Sequence, residues 1–222
     1  MFPLRTILVF LGLALLPQLA IAQSKFLYFD IPYVVYEIDE YVDGLWFYSD
    51  LTDYPEMYGF SLSATTTVRF SIDAIDHTDR APGFSGIVVK DKGQDGVREV
   101  GRFLANDASW EVYTDSRTQM QYRMGPSKDF TLGPGDYRVE VSTPNNHGRY
   151  VLKLGPATAP ESGYIQTLRE IRSTQLFHGY GVLHVFRTAH VYVPPLIVFV
   201  GLGIFVAYRY VRRRKPSESD LS

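Results

Sequence analysis

The sequence predicts an all-β fold: an antiparallel β-sandwich, jelly-roll-like, followed by a short amphipathic helix and one transmembrane helix. Three observations carry this expectation. Apolar and polar residues alternate with a period of two between Phe26 and Leu154. Clusters of Gly, Pro, Asp and Asn interrupt that alternation every 8 to 14 residues or so, the rhythm of a sandwich. An uncharged run, Val191–Tyr208, is followed by Arg209, Arg212, Arg213, Arg214 and Lys215, which reads as a stop-transfer helix oriented by positive charge on its cytoplasmic side.

In chain order, residues 1–22 read as a secretory signal peptide. Arg5 closes a short positive region, Ile7–Leu16 is apolar, and Ala20-Ile21-Ala22 supplies the small residues of a cleavage site. Residues 23–155 form the exported domain. Its clearest strand is Thr67–Ile75, in which Val68, Phe70, Ile72 and Ala74 point one way and Arg69, Ser71 and Asp73 the other. Tyr137, Val139 and Val141 alternate with Arg138 and Glu140, and Tyr150, Leu152 and Leu154 with Val151 and Lys153. Further strands are expected at Tyr33–Ile38, Leu45–Tyr48, Tyr58–Leu62, Gly86–Val89, Val97–Phe103, Trp110–Tyr113 and Gln119–Arg123, enough for two stacked sheets. Gly133-Pro134-Gly135-Asp136 ends one strand and starts the next. Pro144–Gly148 reads as a hairpin loop, and Asp91–Gly96 as another.

Residues 156–161 form a stiff Pro/Ala linker. Within 162–190, Tyr164, Ile165, Leu168, Ile171 and Leu176 recur at three and four, the period of an amphipathic helix with Ser162 as its N-cap. This helix has three destinations open to it: under the sandwich, on a bilayer surface, or against a partner. Phe177–His190 is aromatic and mildly basic, suited to the headgroup zone. The transmembrane helix occupies 191–210, with Pro194-Pro195 in its first turn, and 211–222 is a basic cytoplasmic tail.

Residues 23–190 carry 16 Lys and Arg against 22 Asp and Glu. An acidic exterior excludes nucleic acid as a partner, because phosphate demands a basic face. The chain has no cysteine, so an exported domain of this size must rest on its core alone. A cell-surface domain without disulfides points to a bacterial source.

No catalytic constellation stands out. Gly83-Phe84-Ser85-Gly86 lacks the Gly-x-Ser-x-Gly spacing of a nucleophile elbow, and His178, His184 and His190 recur at six, off any one helix face. The chain reads as non-enzymatic and without a cofactor. Asp73, Asp76, Asp79, Asp91 and Asp95 are turn-rich carboxylates and the candidate ligands for Ca²⁺, although none shows an EF-hand register. Twelve aromatic residues stand between Phe26 and Phe60. Both parities of Tyr33–Ile38 and Leu45–Tyr48 are apolar, so a surplus is expected beyond one core face. Trp46, Tyr48 and Tyr54 are the candidates for an exposed platform that stacks on a glycan or docks a protein.

Leu132-x-Pro134-Gly135-x-Tyr137-x-Val139-x-Val141, followed by Gly148-x-Tyr150-x-Leu152-x-Leu154, resembles the C-terminal strands of the bacterial pre-peptidase C-terminal domain. Tyr58-x-Phe60-x-Leu62 and Thr67–Ile75 resemble that family's early strand pair, so the likeness extends over about Phe29–Gly155. The resemblance implies a compact, non-catalytic jelly-roll that serves as a binding or secretion accessory to an enzyme. Here no peptidase precedes it and a membrane anchor follows. The functional expectation is a membrane-tethered, extracytoplasmic binding module for an envelope protein or a cell-surface glycan. The alternative is a structural subunit of a membrane complex that interacts through its helices.

Overall fold

The computed structural model describes residues 24–39, 41, 43–75, 83–116, 118–155 and 164–213. The expected signal peptide and the 156–161 linker lie outside these residues. Eleven strands form two stacked sheets. The larger runs β1 (Ser24–Phe26), β3 (Leu45–Thr52), β11 (His147–Leu154), β5 (Thr66–Ile75), β9 (Gln121–Leu132), β8 (Val112–Thr114). The smaller runs β2 (Val35–Ile38), β4 (Glu56–Leu62), β10 (Gly135–Ser142), β6 (Ser85–Asp91), β7 (Val97–Phe103). The sandwich is mostly antiparallel, with a parallel pair at one edge of each sheet, β1 with β3 and β2 with β4.

The period-two pattern does what it predicts. Val68, Phe70, Ile72 and Ala74 of β5, Tyr137, Val139 and Val141 of β10, and Tyr150, Leu152 and Leu154 of β11 all enter the core between the sheets. Two loops with similar chemistry behave differently. Asp91–Gly96 is a hairpin, with Asp91 opposite Val97. Pro144–Gly148 is an arch, because β10 belongs to the smaller sheet and β11 to the larger. β9 is much longer than Gln119–Arg123. Gly125 and Pro126 of this strand sit beside a register shift between Ser71 and Asp73 of β5, and a bulge of this kind accommodates both residue types.

The larger sheet is also buried on its outer face. Helix α1 (Tyr164–Phe177) lies there, and Trp46, Tyr48, Ile75, Met120, Tyr122, Val151 and Phe177 form a second core beneath it. The amphipathic helix is therefore docked on the sandwich. Its buried residues are Glu170, Ile171, Thr174, Gln175 and Phe177, with His178 buried just past its end, whereas Ile165 and Leu176 of the predicted stripe are exposed. The Gln175 amide donates to the Thr118 carbonyl at 3.3 Å and to the Thr188 hydroxyl at 3.1 Å. The Arg149 guanidinium donates to the Phe177 carbonyl at 2.8 Å, covering the negative end of the helix. Gly179, at φ 82°, ends α1: its amide donates to the Leu176 carbonyl and the Tyr180 amide to the Gln175 carbonyl, both at 2.9 Å.

Helix α2 (Ala189–Arg213) starts five residues before Pro194, so the two prolines fall inside it and not in its first turn. Its 25 residues extend about 37 Å. Side chains are described without a break only from Pro195 to Tyr210, all of them exposed. Among the described residues no helix is long and apolar enough to cross a membrane. Arg209 is exposed and lies over the Phe205 ring at 5.7 Å. The side chains of Arg212 and Arg213, and all of Arg214 and Lys215, fall outside the described residues.

Candidate functional site

Trp46 and Tyr48 do not form a surface platform. They are 2% and 0% exposed, because their side of β3 is the face that α1 covers. Trp46 instead holds a buried cation: Lys153 Nζ lies 4.2 Å from its ring and is ion-paired with Asp73, which also accepts from the Tyr113 hydroxyl. Asp73 is thereby committed to an internal pair. Asp91 accepts from the Gly93 amide at 2.7 Å and from Arg138 at 3.3 Å, in the role of a turn aspartate. Asp95 is exposed in the same turn, and Asp76 and Asp79 lie outside the described residues. Among the described residues no group of three or more His, Asp or Glu side chains could hold a metal ion.

Tyr54 is the platform candidate that does reach the surface, at 41% exposure. It belongs to a patch that sequence reasoning did not assemble. The segment Leu27–Val34, between β1 and β2, crosses the end of the sandwich and meets the β3–β4 turn. There the Tyr33 ring, 64% exposed, meets the Tyr54 ring edge-on, with centroids 5.5 Å apart. Tyr28, Ile31 and Val34 extend the exposed apolar surface. Tyr33 adopts φ 59° and Asp53 φ 70°. A bulky aromatic residue in the left-handed region is a strained conformation, of a kind that gathers at binding sites. On one side the segment borders an open cleft of about 560 Å³, lined by residues including Leu27, Phe29, Val35 and Tyr36.

On the other side is a small pocket of about 10 Å³ walled by Phe29, Tyr33, Thr52, Tyr54 and Glu56, among others. Glu56, at the head of β4, is 4% exposed. Its Oε2 accepts from the Tyr150 hydroxyl at 2.5 Å and the Tyr58 hydroxyl at 3.1 Å. The two phenol oxygens are themselves 2.7 Å apart. Oε1 has no hydrogen-bond partner; the nearby Ser49 hydroxyl donates to the Leu27 carbonyl at 3.2 Å. Burial pushes the Glu56 carboxyl above the usual carboxylate range and the Asp50 charge adds to this, against the opposing pull of its hydroxyl donors. Burial likewise raises both tyrosines well above the ordinary phenol value.

A carboxyl whose folded pKa is raised contributes stability that is present in full below its unfolded pKa and is lost as pH rises through the folded value. Glu56→Gln is therefore expected to flatten the decline in melting temperature as pH rises from about 4.5. The difference amounts to about 1.4 kcal/mol for each unit between the two pKa values. Equal slopes in both proteins would show that Glu56 is ionised in the fold.

No family model matches the chain and no curated protein does. Fourteen solved chains match. One is the pre-peptidase C-terminal domain of collagenase from Bacillus anthracis, 11% identical, with a TM-score of 0.34, covering 60% of this chain and 95% of that one. Similarity at that level fixes neither a family nor an activity.

Proposed function

We propose that the chain is a non-enzymatic, membrane-tethered binding module that contacts an extracytoplasmic protein through the patch formed by Tyr28, Ile31, Tyr33, Val34 and Tyr54. The observation that carries this reading is the exposure of these five apolar and aromatic residues together at one end of the sandwich, with the Tyr33 backbone held in the left-handed region. Patches of this kind mark interaction sites. A glycan remains the second ligand for the same surface, because aromatic faces also stack on sugars. The tether rests on the uncharged run Val191–Tyr208 and on the basic residues beyond it. Docking of α1 keeps the sandwich close to that run.

The competing reading makes α2 the contact, as a subunit of a membrane complex; the exposed side chains from Leu196 to Tyr210 favour it. One crosslinking experiment on whole cells separates the two. Tyr33→Ser with Tyr54→Ser is expected to reduce capture of the crosslinked partner at least tenfold, while replacement of 191–208 by an unrelated apolar helix leaves it intact. The reverse result would give the function to α2.

A further inference from the structure

The segment Phe26–Phe60 holds eight carboxylates and no Lys or Arg, alongside its twelve aromatic residues. The patch therefore lies in chain that brings no cation of its own. Two neighbouring carboxylates have partners on β11: Asp50 pairs with Arg149 at 3.1 Å, and Asp53 Oδ1 lies 3.1 Å from His147 Nε2. Glu56 has hydroxyl donors only; its buried Oε1 has no hydrogen-bond partner, and the residue forms part of the pocket wall. The rings of Tyr33, Tyr54 and Phe29 stand around the same pocket. A desolvated carboxylate beside aromatic rings attracts a cation. The free volume of about 10 Å³ is that of one water molecule, which sets the size of the cation at a single –NH₃⁺ head and excludes trimethylammonium.

We propose that this pocket receives a primary ammonium group, the side chain of a lysine on the protein partner, with Glu56 at its floor and Tyr33 and Tyr54 at its mouth. The assignment rests on the proposed binding role of the patch and names the chemistry that the patch selects. The ammonium donates to Oε1, while the two phenols go on donating to Oε2. At pH below the folded pKa of Glu56, the carboxyl gives up its proton to solvent as the ammonium enters, so a neutral acid becomes a carboxylate paired with a cation. The lysine stem then lies against the outer surface of the Tyr33 and Tyr54 rings, which stay in contact with each other. Binding tightens with pH up to the folded pKa of Glu56 and levels above it. The other ionisable groups nearby are Asp50 on β3, Tyr58 on β4, His147, Arg149 and Tyr150 on β11, and Asp53 in the β3–β4 turn.

The test uses the full chain in a non-ionic detergent, titrated with Nα-acetyl-lysine methylamide and followed by NMR. The norleucine analogue, glucosamine and tetramethylammonium serve as comparison probes. The lysine probe is expected to shift the signals of Tyr33 and Tyr54, with affinity rising about tenfold per pH unit below the folded pKa of Glu56. Glu56→Gln should weaken it at least tenfold and remove the pH dependence. Tyr33→Leu, an exposed position, should weaken it several-fold without touching the core, and His147→Gln should leave the pH profile in place. Equal binding of the norleucine analogue, or a profile abolished by His147→Gln, overturns the proposal. Preference for glucosamine over the lysine probe overturns the protein source of the amine. If acetylating the partner's lysines leaves its capture unchanged while Tyr33→Ser with Tyr54→Ser still abolishes it, this inference fails and the binding role of the patch stands.

Discussion

Asp73→Asn is expected to destabilise the fold by about 3–5 kcal/mol, the cost of stranding a buried charge. Lys153 and Asp73 have side chains only 3% and 6% exposed. Removing the carboxylate leaves the Lys153 ammonium with the Trp46, Tyr113 and Tyr122 rings around it and no anion. Ring faces return only part of what the lost carboxylate supplied. Lys153→Met strands Asp73 instead and is expected to cost as much. The combination Asp73→Leu, Lys153→Met and Tyr113→Phe removes the charges and the hydroxyl together, and should come within about 2 kcal/mol of the natural protein or exceed it. Denaturant unfolding monitored by Trp fluorescence measures all three. A loss below about 1 kcal/mol for Asp73→Asn would mean that the pair is hydrated and the outer face of the sheet is open.

Stopping the chain at Gly155 is the second large perturbation. It removes Ile171 and Phe177, and each buried side chain of this size stabilises by about 1.5–3 kcal/mol. It also exposes Trp46, Tyr48, Met120, Tyr122 and Val151 as one apolar surface. The melting temperature of the 23–155 fragment is expected to fall by roughly 10–20 °C relative to a fragment ending at Thr188. The shorter fragment should also associate in solution, by sedimentation, because it presents an uncovered patch. If the two fragments melt together as monomers, α1 is not part of the domain. A soluble form of this protein is thus bounded by Thr188, not by the end of β11.

The strands were legible in the sequence because each is a local pattern, and Thr66–Ile75 can be read without knowing what it faces. Three other features depended on residues far away. The alternation in Leu45–Tyr48 shows two apolar faces, but not that α1 will cover the second, so Trp46 and Tyr48 read as surface. Turn residues at Pro144–Gly148 announce a reversal without saying which sheet the next strand joins, and an arch passes for a hairpin. Glu56 looks like an ordinary acidic residue at the head of a strand until Tyr150, 94 positions later, donates to it. The run of carboxylates without a cation across Phe26–Phe60 was the signal that would have directed attention there. Tyr54 was found by its aromatic character, whereas its neighbour Tyr33 depended on a backbone angle that composition does not report.

The positions of β10 and β11 bear on how the chain is assembled in time. In the larger sheet β11 alone joins β1–β3 to β5–β9–β8, and in the smaller sheet β10 alone joins β2–β4 to β6–β7. Both sheets therefore wait for the last strands of the sandwich to be synthesised. Between the appearance of Thr52 and that of Leu154 a ribosome spends roughly 5–20 s, during which β3 and β5 present open edges with no strand to fill them. Closure then comes from long-range pairing, a slow route for a chain to take. The nascent protein consequently passes through an extended, unclosed period, in which a holding chaperone has its target and after which the sandwich shuts from its C-terminal end.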